Sequence, residues 1–431
     1  MTLDEVRAAR ARLRSAIAVT PCAYSETLSV MTGARVFVKL ENLQMTGSFK
    51  ERGAANVLLQ LAPEERRRGV VAASAGNHGL AVAFHAARLD IAAVIVMPEW
   101  APLSKVTAAR RGGAEVVLHG ENYDEAFARA KEIQAARNLV FVHPFDDPQV
   151  IAGQGTVGLE LVEQLPDLEA VLVPVGGGGL IAGLALVIKA LRPSAQVIGT
   201  QAEEVAAMKA ALAAGHRVTL PPAVTIADGI AVRRVGEHTF DLARRHVDRV
   251  VSVSEEEIAN AILLLLEIEK TVVEGAGATP LAALVNRKLG LDGRTVALVL
   301  SGGNIDVNLI SRIIDRGLVK DGRIVRLAVM LRDRPGALAR LTALVAETRA
   351  NVLHIHHDRA FSRARLGETE VELTLETSGR EQIEAVRRHL AEAGYIVEEI
   401  SGTSARRREL PPSRFPLPRG RSGESYSTGC W

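Results

Sequence analysis

The strongest constraint on the fold is a repeated alternation of short apolar runs with helix-length segments between about residues 35 and 315. Runs such as VFVKLE, IAAVIVMP, AVLVPV and RTVALVL are apolar along their whole length, as expected for strands covered on both faces. Segments such as NHGLAVAFHAARL and EEEIANAILLLLEIE lie between them and have the length of helices. This order predicts an α/β domain with a largely parallel sheet.

The pattern changes after about residue 323. From 324 to 401 the order is strand, helix, strand, strand, helix, strand, which is typical of a ferredoxin-like βαββαβ module. Residues 402–431 are rich in Arg, Pro, Ser and Gly without apolar periodicity, so we expect a disordered tail there. The sequence therefore predicts a large domain at 1–320, a small domain at 324–401 and a tail.

Charge and cysteine content narrow the function classes. The formal net charge of +2 gives no support for a nucleic-acid or anionic-membrane partner, which favours a small-molecule role. Cys22 and Cys430 stand near opposite ends of the chain, so no disulfide framework or metal spacing is indicated. The first twenty residues lack the apolar core of a secretory signal, and no run has the length of a membrane span. We expect a cytoplasmic protein.

A lysine in GSFKERGA, residues 47–54, is the first candidate catalytic residue. Only nine of the 52 Lys and Arg residues are lysines, so bulk charge does not explain why position 50 is one. An ammonium group can lose its proton and become a nucleophile, whereas a guanidinium group in practice does not. Lys50 is therefore a candidate nucleophile or base.

Four consecutive glycines follow a buried strand and precede an apolar helix. Without Cβ atoms, Gly176 to Gly179 can bring backbone N–H groups close to an anion, and the helix N-terminus adds its positive dipole end. The loop therefore predicts a phosphate site. The G-x-G-x-x-A spacing of dinucleotide-binding folds is also satisfied, by Gly177, Gly179 and Ala182, with Glu203 as a possible ribose ligand. The loop alone therefore does not decide which phosphate-containing ligand binds.

Two further turns lie at the ends of predicted strands. SAGNHG, residues 74–79, opens a helix at Asn77 and His78, where backbone N–H groups could hold a carboxylate. SGGN, residues 301–304, presents the hydroxyl of Ser301 at the carboxyl end of a strand, where ligands of open α/β sheets bind. Together with the glycine loop, these turns indicate one site for a small anionic ligand.

These residues carry a family resemblance. SFKERGA, SAGNHG, GGGGL and LSGGN occur in the order and approximate spacing found in threonine dehydratases (threonine ammonia-lyases), pyridoxal-phosphate enzymes of the tryptophan-synthase-β-like fold, fold type II. The resemblance covers about residues 1–320. LRDRPGALARL, residues 331–341, resembles the start of an ACT domain, an amino-acid-sensing module. The whole layout is similar to the medium-length form, with one ACT domain after the catalytic domain, and NAD is then not expected.

The resemblance implies a role for each candidate. Lys50 would form the aldimine with pyridoxal 5'-phosphate and then act as the base at Cα, Asn77 would contact the ring 3-hydroxyl, and Ser301 would bond the pyridine nitrogen. The other implied cofactor-binding residues are Phe49, Gly176, Gly177, Gly178, Gly179 and Leu180. The candidates for binding the substrate carboxylate are Ser74, Gly76, Asn77 and His78. The candidates for binding a regulatory amino acid are Asp333, Arg334, Pro335 and Gly336.

The implied reaction is deamination by β-elimination. A neutral hydroxyl such as that of Ser301 stabilises a pyridinium less than an aspartate would, so the ring should be a weaker electron sink, which suits elimination better than transamination. Threonine would yield 2-oxobutanoate and ammonia, and serine would yield pyruvate and ammonia. ACT modules commonly pair, so we expect a homo-oligomer, a dimer or a tetramer. For Glu274, contact with the cofactor and a helix-terminal role both stay open.

Two alternatives differ in testable residues. Serine racemases share these motifs, but Ala75 stands where their second base, a serine, lies, which favours one-base elimination. Gln201, Val205 and Ala207 stand at the positions of the racemases' cation ligands, and because only one of them has a side-chain oxygen we predict no metal. An amino-acid-binding protein without activity is the alternative outside enzymes, and the retained Lys50 speaks against it.

Overall fold

The computed structural model describes residues 1–286, 289–358 and 367–400. The chain separates into two compact units, one from Met1 to Gly317 and one that begins at Leu318. The predicted tail at 402–431 lies outside the described residues. Within the described ranges, no helix combines the length and the apolar character that crossing a bilayer requires.

The elements follow the predicted alternation. The strands are β1 (Cys22–Tyr24), β2 (Arg35–Lys39), β3 (Val70–Ala73), β4 (Ala93–Met97), β5 (Glu115–Leu118), β6 (Val140–Phe141), β7 (Ala170–Pro174), β8 (Gln196–Ala202), β9 (Arg249–Val253), β10 (Thr295–Val299), β11 (Ile324–Arg332), β12 (Asn351–Asp358), β13 (Glu368–Glu376) and β14 (Val397–Glu399). The helices are α1 (Leu3–Leu13), α2 (Glu26–Thr32), α3 (Lys50–Gln60), α4 (Pro63–Arg68), α5 (Asn77–Arg88), α6 (Leu103–Arg111), α7 (Tyr123–Arg137), α8 (Pro148–Gln164), α9 (Gly179–Leu191), α10 (Ala207–Ala214), α11 (Glu237–His246), α12 (Glu255–Glu267), α13 (Gly275–Val285), α14 (Val307–Lys320), α15 (Ala337–Glu347) and α16 (Arg380–Glu392). Short 3₁₀ helices lie at Glu41–Leu43, Glu203–Val205 and Asp228–Ile230.

The larger unit contains two sheets, and both are largely parallel, as the sequence predicted. The first has the order β1-β2-β10-β7-β8-β9 and is parallel except for β1, which pairs antiparallel with β2 at one edge. The second has the order β5-β4-β3-β6 and is wholly parallel. Strands β7 and β10 are buried at every position, because helices cover both faces of the sheet.

The three sequence motifs lie at the carboxyl ends of strands from both sheets. SAGNHG follows β3 of the four-stranded sheet, whereas the glycine loop follows β7 and SGGN follows β10 of the six-stranded sheet. Adjacent parallel strands end at the same edge, so β7 and β10 present the glycine loop and SGGN side by side. The candidate site therefore draws on both sheets.

The smaller unit has the predicted βαββαβ order. Its sheet is antiparallel with the order β12-β13-β11-β14, and β11 and β13 pair along nine residues. Alternate residues of β11 and β13 point into the core against α15 and α16, as the period-two pattern of both strands requires. The described part ends at residue 400, just after β14.

Candidate active site

Lys50 is the first residue of α3 and is tied to the SGGN turn through the two residues before it. Ser48 forms an antiparallel bridge with Gly302, and the backbone N–H of Phe49 donates to the carbonyl of Ser301 at 3.0 Å. The sequence separates these segments by about 250 residues, yet the backbone joins them directly. Lys50 and Ser301 thus belong to one structural unit at the carboxyl end of β10.

The amine of Lys50 lies in a partly closed, weakly polar environment. Its Nζ donates to the carbonyl of Pro144 at 2.8 Å and lies 5.3 Å from the centre of the Phe49 ring. Burial lowers the pKa of Lys50 to about 8, and the negative charge of Glu274 partly opposes that shift. A larger share of this amine is therefore neutral and nucleophilic near neutral pH than for an exposed lysine.

The tetraglycine loop is packed so closely that side chains would not fit. A Cβ on Gly177 would collide with the ring of Phe145, and one on Gly179 would lie 2.9 Å from the carbonyl oxygen of the same residue. Gly178 has a φ of +100°, a conformation that favours glycine, and no side chain caps the start of α9. Phe145 directly follows Pro144, which accepts the Lys50 bond, so a single turn contacts both the loop and the lysine.

Sequence reasoning missed the residues that hold this loop. Thr239 donates its hydroxyl to the carbonyl of Gly177 at 2.7 Å, and its own backbone N–H donates to Asp146 at 3.1 Å. Asp146 also accepts from the N–H of Glu237 at 2.8 Å, so its carboxylate satisfies two orphan donors at the start of α11. Asp146 and Thr239 lie far from the loop in the chain, and neither belongs to a recognisable local motif.

The amide of Asn77, at the start of α5, is held from both sides. Its Nδ2 donates to both carboxyl oxygens of Glu274, at 2.8 and 3.0 Å, and its Oδ1 accepts from Nδ2 of Asn304 at 2.8 Å. The SAGNHG turn of one sheet therefore meets the SGGN turn of the other through direct side-chain bonds. This contact brings Asn77 to the same edge as Ser301.

The SAGNHG turn leaves space in front of a helix start. The N–H of Gly76 donates to Oγ of Ser74 at 3.1 Å, and a Cβ on Gly76 would meet nothing within 4 Å. No side chain caps α5. Nε2 of His78 lies 2.9 Å from the carbonyl of Val142, and burial lowers the pKa of His78 to about 3, so the imidazole is neutral. The side chain of His78 turns into the protein, and its backbone N–H stays in the first turn.

The three positions that correspond to the racemases' cation ligands have side chains that are either apolar or already hydrogen-bonded within the protein. Gln201 donates to the carbonyl of Val175 at 3.0 Å and accepts from the N–H of Lys209 at 3.0 Å. Val205 and Ala207 are buried. In the part of the chain that the structure describes, no group of three His, Cys, Asp or Glu side chains could hold a metal ion.

In the smaller unit, the residues from Asp333 to Gly336 form the turn between β11 and α15. Gly336 has a φ of +86°, and no side chain caps the start of α15. The N–H of Asp333 donates to the carbonyl of Gly367 at 2.9 Å, which fixes the beginning of the turn. The turn therefore presents the backbone groups of a helix N-terminus, as in the SAGNHG turn.

Comparisons with known proteins identify both units. Residues 13–302 match the family of pyridoxal-phosphate dependent enzymes, and residues 321–398 match the ACT domain. The chain is 51% identical over 400 residues to an L-threonine ammonia-lyase of Thermotoga maritima, covering 93% of this chain and 100% of that protein.

Solved structures give the same result. The processed form of threonine deaminase isoform 2 from Solanum lycopersicum superposes with a TM-score of 0.69 at 37% identity, covering 73% of this chain and 89% of that one. Maize serine racemase superposes with a TM-score of 0.70 at 34% identity, covering 74% of this chain and 98% of that one. The predicted fold class, a fold type II catalytic domain followed by an ACT domain, is confirmed. The chain therefore belongs to the pyridoxal-phosphate dependent enzyme family, of which these threonine ammonia-lyases are members.

Proposed function

We propose that this enzyme deaminates L-threonine, and also L-serine, by β-elimination of water, giving 2-oxobutanoate or pyruvate and ammonia. The observation that carries the proposal is the junction of Lys50 with the glycine loop through Pro144 and Phe145, since it brings a weakly basic amine next to a phosphate cradle. The threonine ammonia-lyase of Thermotoga maritima, which matches over almost the whole chain, supports threonine as the substrate.

The residues of the site fit pyridoxal 5'-phosphate. The loop from Gly176 to Gly179 has no room for side chains and opens onto the uncapped N-terminus of α9, as a phosphate group requires. Leu180 lies in the first turn of that helix, and Phe49 lies beside the lysine. When bound, the cofactor supplies an aldehyde that reacts with amines and a ring that withdraws electrons from the substrate Cα.

The chain's own groups then have separate tasks. The amine of Lys50 would hold the cofactor at its aldehyde and would serve as the general base that accepts the Cα proton. Asn77 would donate from its amide to the ring oxygen, and Ser301 would contact the ring nitrogen with a neutral hydroxyl. The N–H groups of the SAGNHG turn, with the hydroxyl of Ser74 and the open space at Gly76, bind the substrate carboxylate.

The residue at position 75 distinguishes deamination from racemisation. Racemisation needs a second base on the opposite face of Cα to return a proton, and the methyl group of Ala75 offers none.

The purified full-length protein should show the visible absorption of bound pyridoxal phosphate and release 2-oxobutanoate when threonine is added. A colourless protein that stays inactive with added cofactor would refute the proposal, and rapid formation of D-serine from L-serine would favour the racemase alternative.

We propose that the turn from Asp333 to Gly336 binds the carboxylate of a regulatory amino acid, and that the protein is a homo-oligomer, a dimer or a tetramer. The uncapped start of α15 supports the first point, because its N–H groups suit an anion. In equilibrium dialysis of the full chain, one of the common amino acids other than the substrates should bind, and Gly336→Val should abolish that binding because valine strains at a φ of +86°. Deamination by the variant should then no longer respond to that amino acid.

Substitution of one glycine tests the phosphate cradle. In Gly177→Ala the new methyl group collides with Phe145, so the dissociation constant of pyridoxal phosphate should rise by at least about tenfold. Gly76→Ala is the matched control, because its methyl group meets nothing within 4 Å. It should keep the cofactor affinity and raise KM for threonine. Equal cofactor affinity in Gly177→Ala and the unmodified enzyme would argue against the cradle.

A further inference from the structure

Glu274 is a buried carboxyl group without a role in the reaction proposed above. It directly precedes α13, and only 4% of its surface is exposed. Its side chain makes no capping hydrogen bond to α13, so it does not act as a helix cap. Its backbone N–H donates to the carbonyl of Gly302 at 3.0 Å, which fixes the residue beside the SGGN turn.

The carboxylate of Glu274 lies at one end of a directed chain of hydrogen bonds. Nδ2 of Asn304 donates to the carbonyl of Thr46 at 2.8 Å and to Oδ1 of Asn77 at 2.8 Å. A carbonyl only accepts, so it fixes which way the Asn304 amide faces, and that amide in turn fixes Oδ1 of Asn77. Nδ2 of Asn77 must then face Glu274, and it contacts both carboxyl oxygens.

Two glycines make room for this carboxylate. A Cβ on Gly302 would lie 2.5 Å from Oε1 of Glu274, and one on Gly229 would lie 3.3 Å from the same atom. Any side chain at Gly302 would displace the carboxylate from Asn77. The close approach explains why the SGGN turn has a glycine directly after Ser301.

The charges that face Glu274 come from three other elements. They are Lys50 at the start of α3, Lys105 on α6, and Asp228 in the 3₁₀ helix Asp228–Ile230. Burial raises the pKa of Glu274 to about 7, and the Asn77 bond and the two lysines oppose that shift. Lys105 and Asp228 form an ion pair with each other at 2.7 Å.

We propose that Glu274 is a positioning residue for the deamination: its carboxylate directs the Asn77 amide toward the cofactor ring oxygen. The inference rests on the role proposed above for Asn77. One N–H of the Asn77 amide donates a hydrogen bond to the carboxylate. The second N–H is therefore the one that can donate to the ring oxygen.

The test measures the coupling of Glu274 with Asn77. The dissociation constant of pyridoxal phosphate is determined for Asn77→Ala, Glu274→Gln and the double variant. We expect Glu274→Gln alone to weaken binding about fivefold, and the double variant to bind no more weakly than Asn77→Ala. Additive losses would mean that Glu274 does not act through Asn77 and would overturn the inference.

A separate variant distinguishes this inference from the proposed function. If Lys50→Ala retains the visible absorption of the unmodified enzyme, the proposed function itself is wrong. If Lys50→Ala loses that absorption while Glu274→Gln leaves the cofactor affinity unchanged, only the role of Glu274 is wrong. Thermal unfolding of each variant confirms that the readings come from folded protein.

Discussion

Lys50→Ala should eliminate the visible absorption of the bound cofactor and lower the rate of 2-oxobutanoate formation by at least about a thousandfold. A methyl group supplies neither the amine that attaches to the aldehyde nor the base that accepts the Cα proton. Absorption spectroscopy of the reconstituted protein gives the first reading, and detection of the 2-oxoacid gives the second.

A matched lysine separates this chemistry from a loss of charge. Lys209 is exposed on α10 and donates to the hydroxyl of Ser252 at 2.9 Å, so Lys209→Ala should retain the absorption and the rate. Thermal unfolding should change little in Lys50→Ala, because among the described residues its amine makes a single hydrogen bond, to the carbonyl of Pro144. A coloured and active Lys50→Ala enzyme would contradict the assignment of the lysine.

Arg52→Met should destabilise the larger unit by about 3–5 kcal/mol. Arg52 is fully buried, and its guanidinium donates to Glu41, Glu160 and Thr156 through five bonds of 2.7 to 3.0 Å. Methionine has a similar length but leaves two buried carboxylates without that cation, and Lys39, which donates to Glu160 at 2.5 Å, balances only one of them. The free energy of unfolding from denaturant titration measures the effect.

Surface and conservative variants make the Arg52 result specific. Arg129 forms an exposed pair with Glu132 at 2.7 Å, and Arg129→Met should cost well below about 1 kcal/mol. Arg52→Lys should also be strongly destabilised, because a single ammonium cannot reproduce the planar set of donors. A denaturation midpoint equal to that of the unmodified protein in Arg52→Met would show that the buried cluster contributes little.

Local patterns were sufficient to predict most elements. The strand-like runs around β7 and β10 are apolar at every position, and the Asn-His start of α5 follows directly on a small-residue turn. Strands β1 and β6 were not predicted, because their three and two residues do not stand out from the loops around them. The division into two sheets was also missed, since strand pairing depends on contacts between segments that are distant in the chain.

The candidate site was predictable only where a motif is local. Lys50, the glycine loop and Ser301 stand in short stretches with unusual composition. Asp146 and Thr239 support the loop through bonds that a sequence does not display, and the buried partners of Arg52 lie 11 and 108 residues away from it. The orientation of the His78 side chain also depends on tertiary contact, because only the fold brings Val142 to its ring.

The origin of the site in two sheets has a consequence for how such an enzyme diversifies. The turn that we propose binds the substrate carboxylate follows β3, whereas Ser301 and the glycine loop proposed to bind phosphate follow strands of the other sheet. Substitutions in the turn after β3 can therefore change which amino acid is accepted without weakening the binding of the shared coenzyme. Selection can act on substrate choice and on coenzyme retention as two separable traits, with the Asn77 to Glu274 contact as the point where they meet.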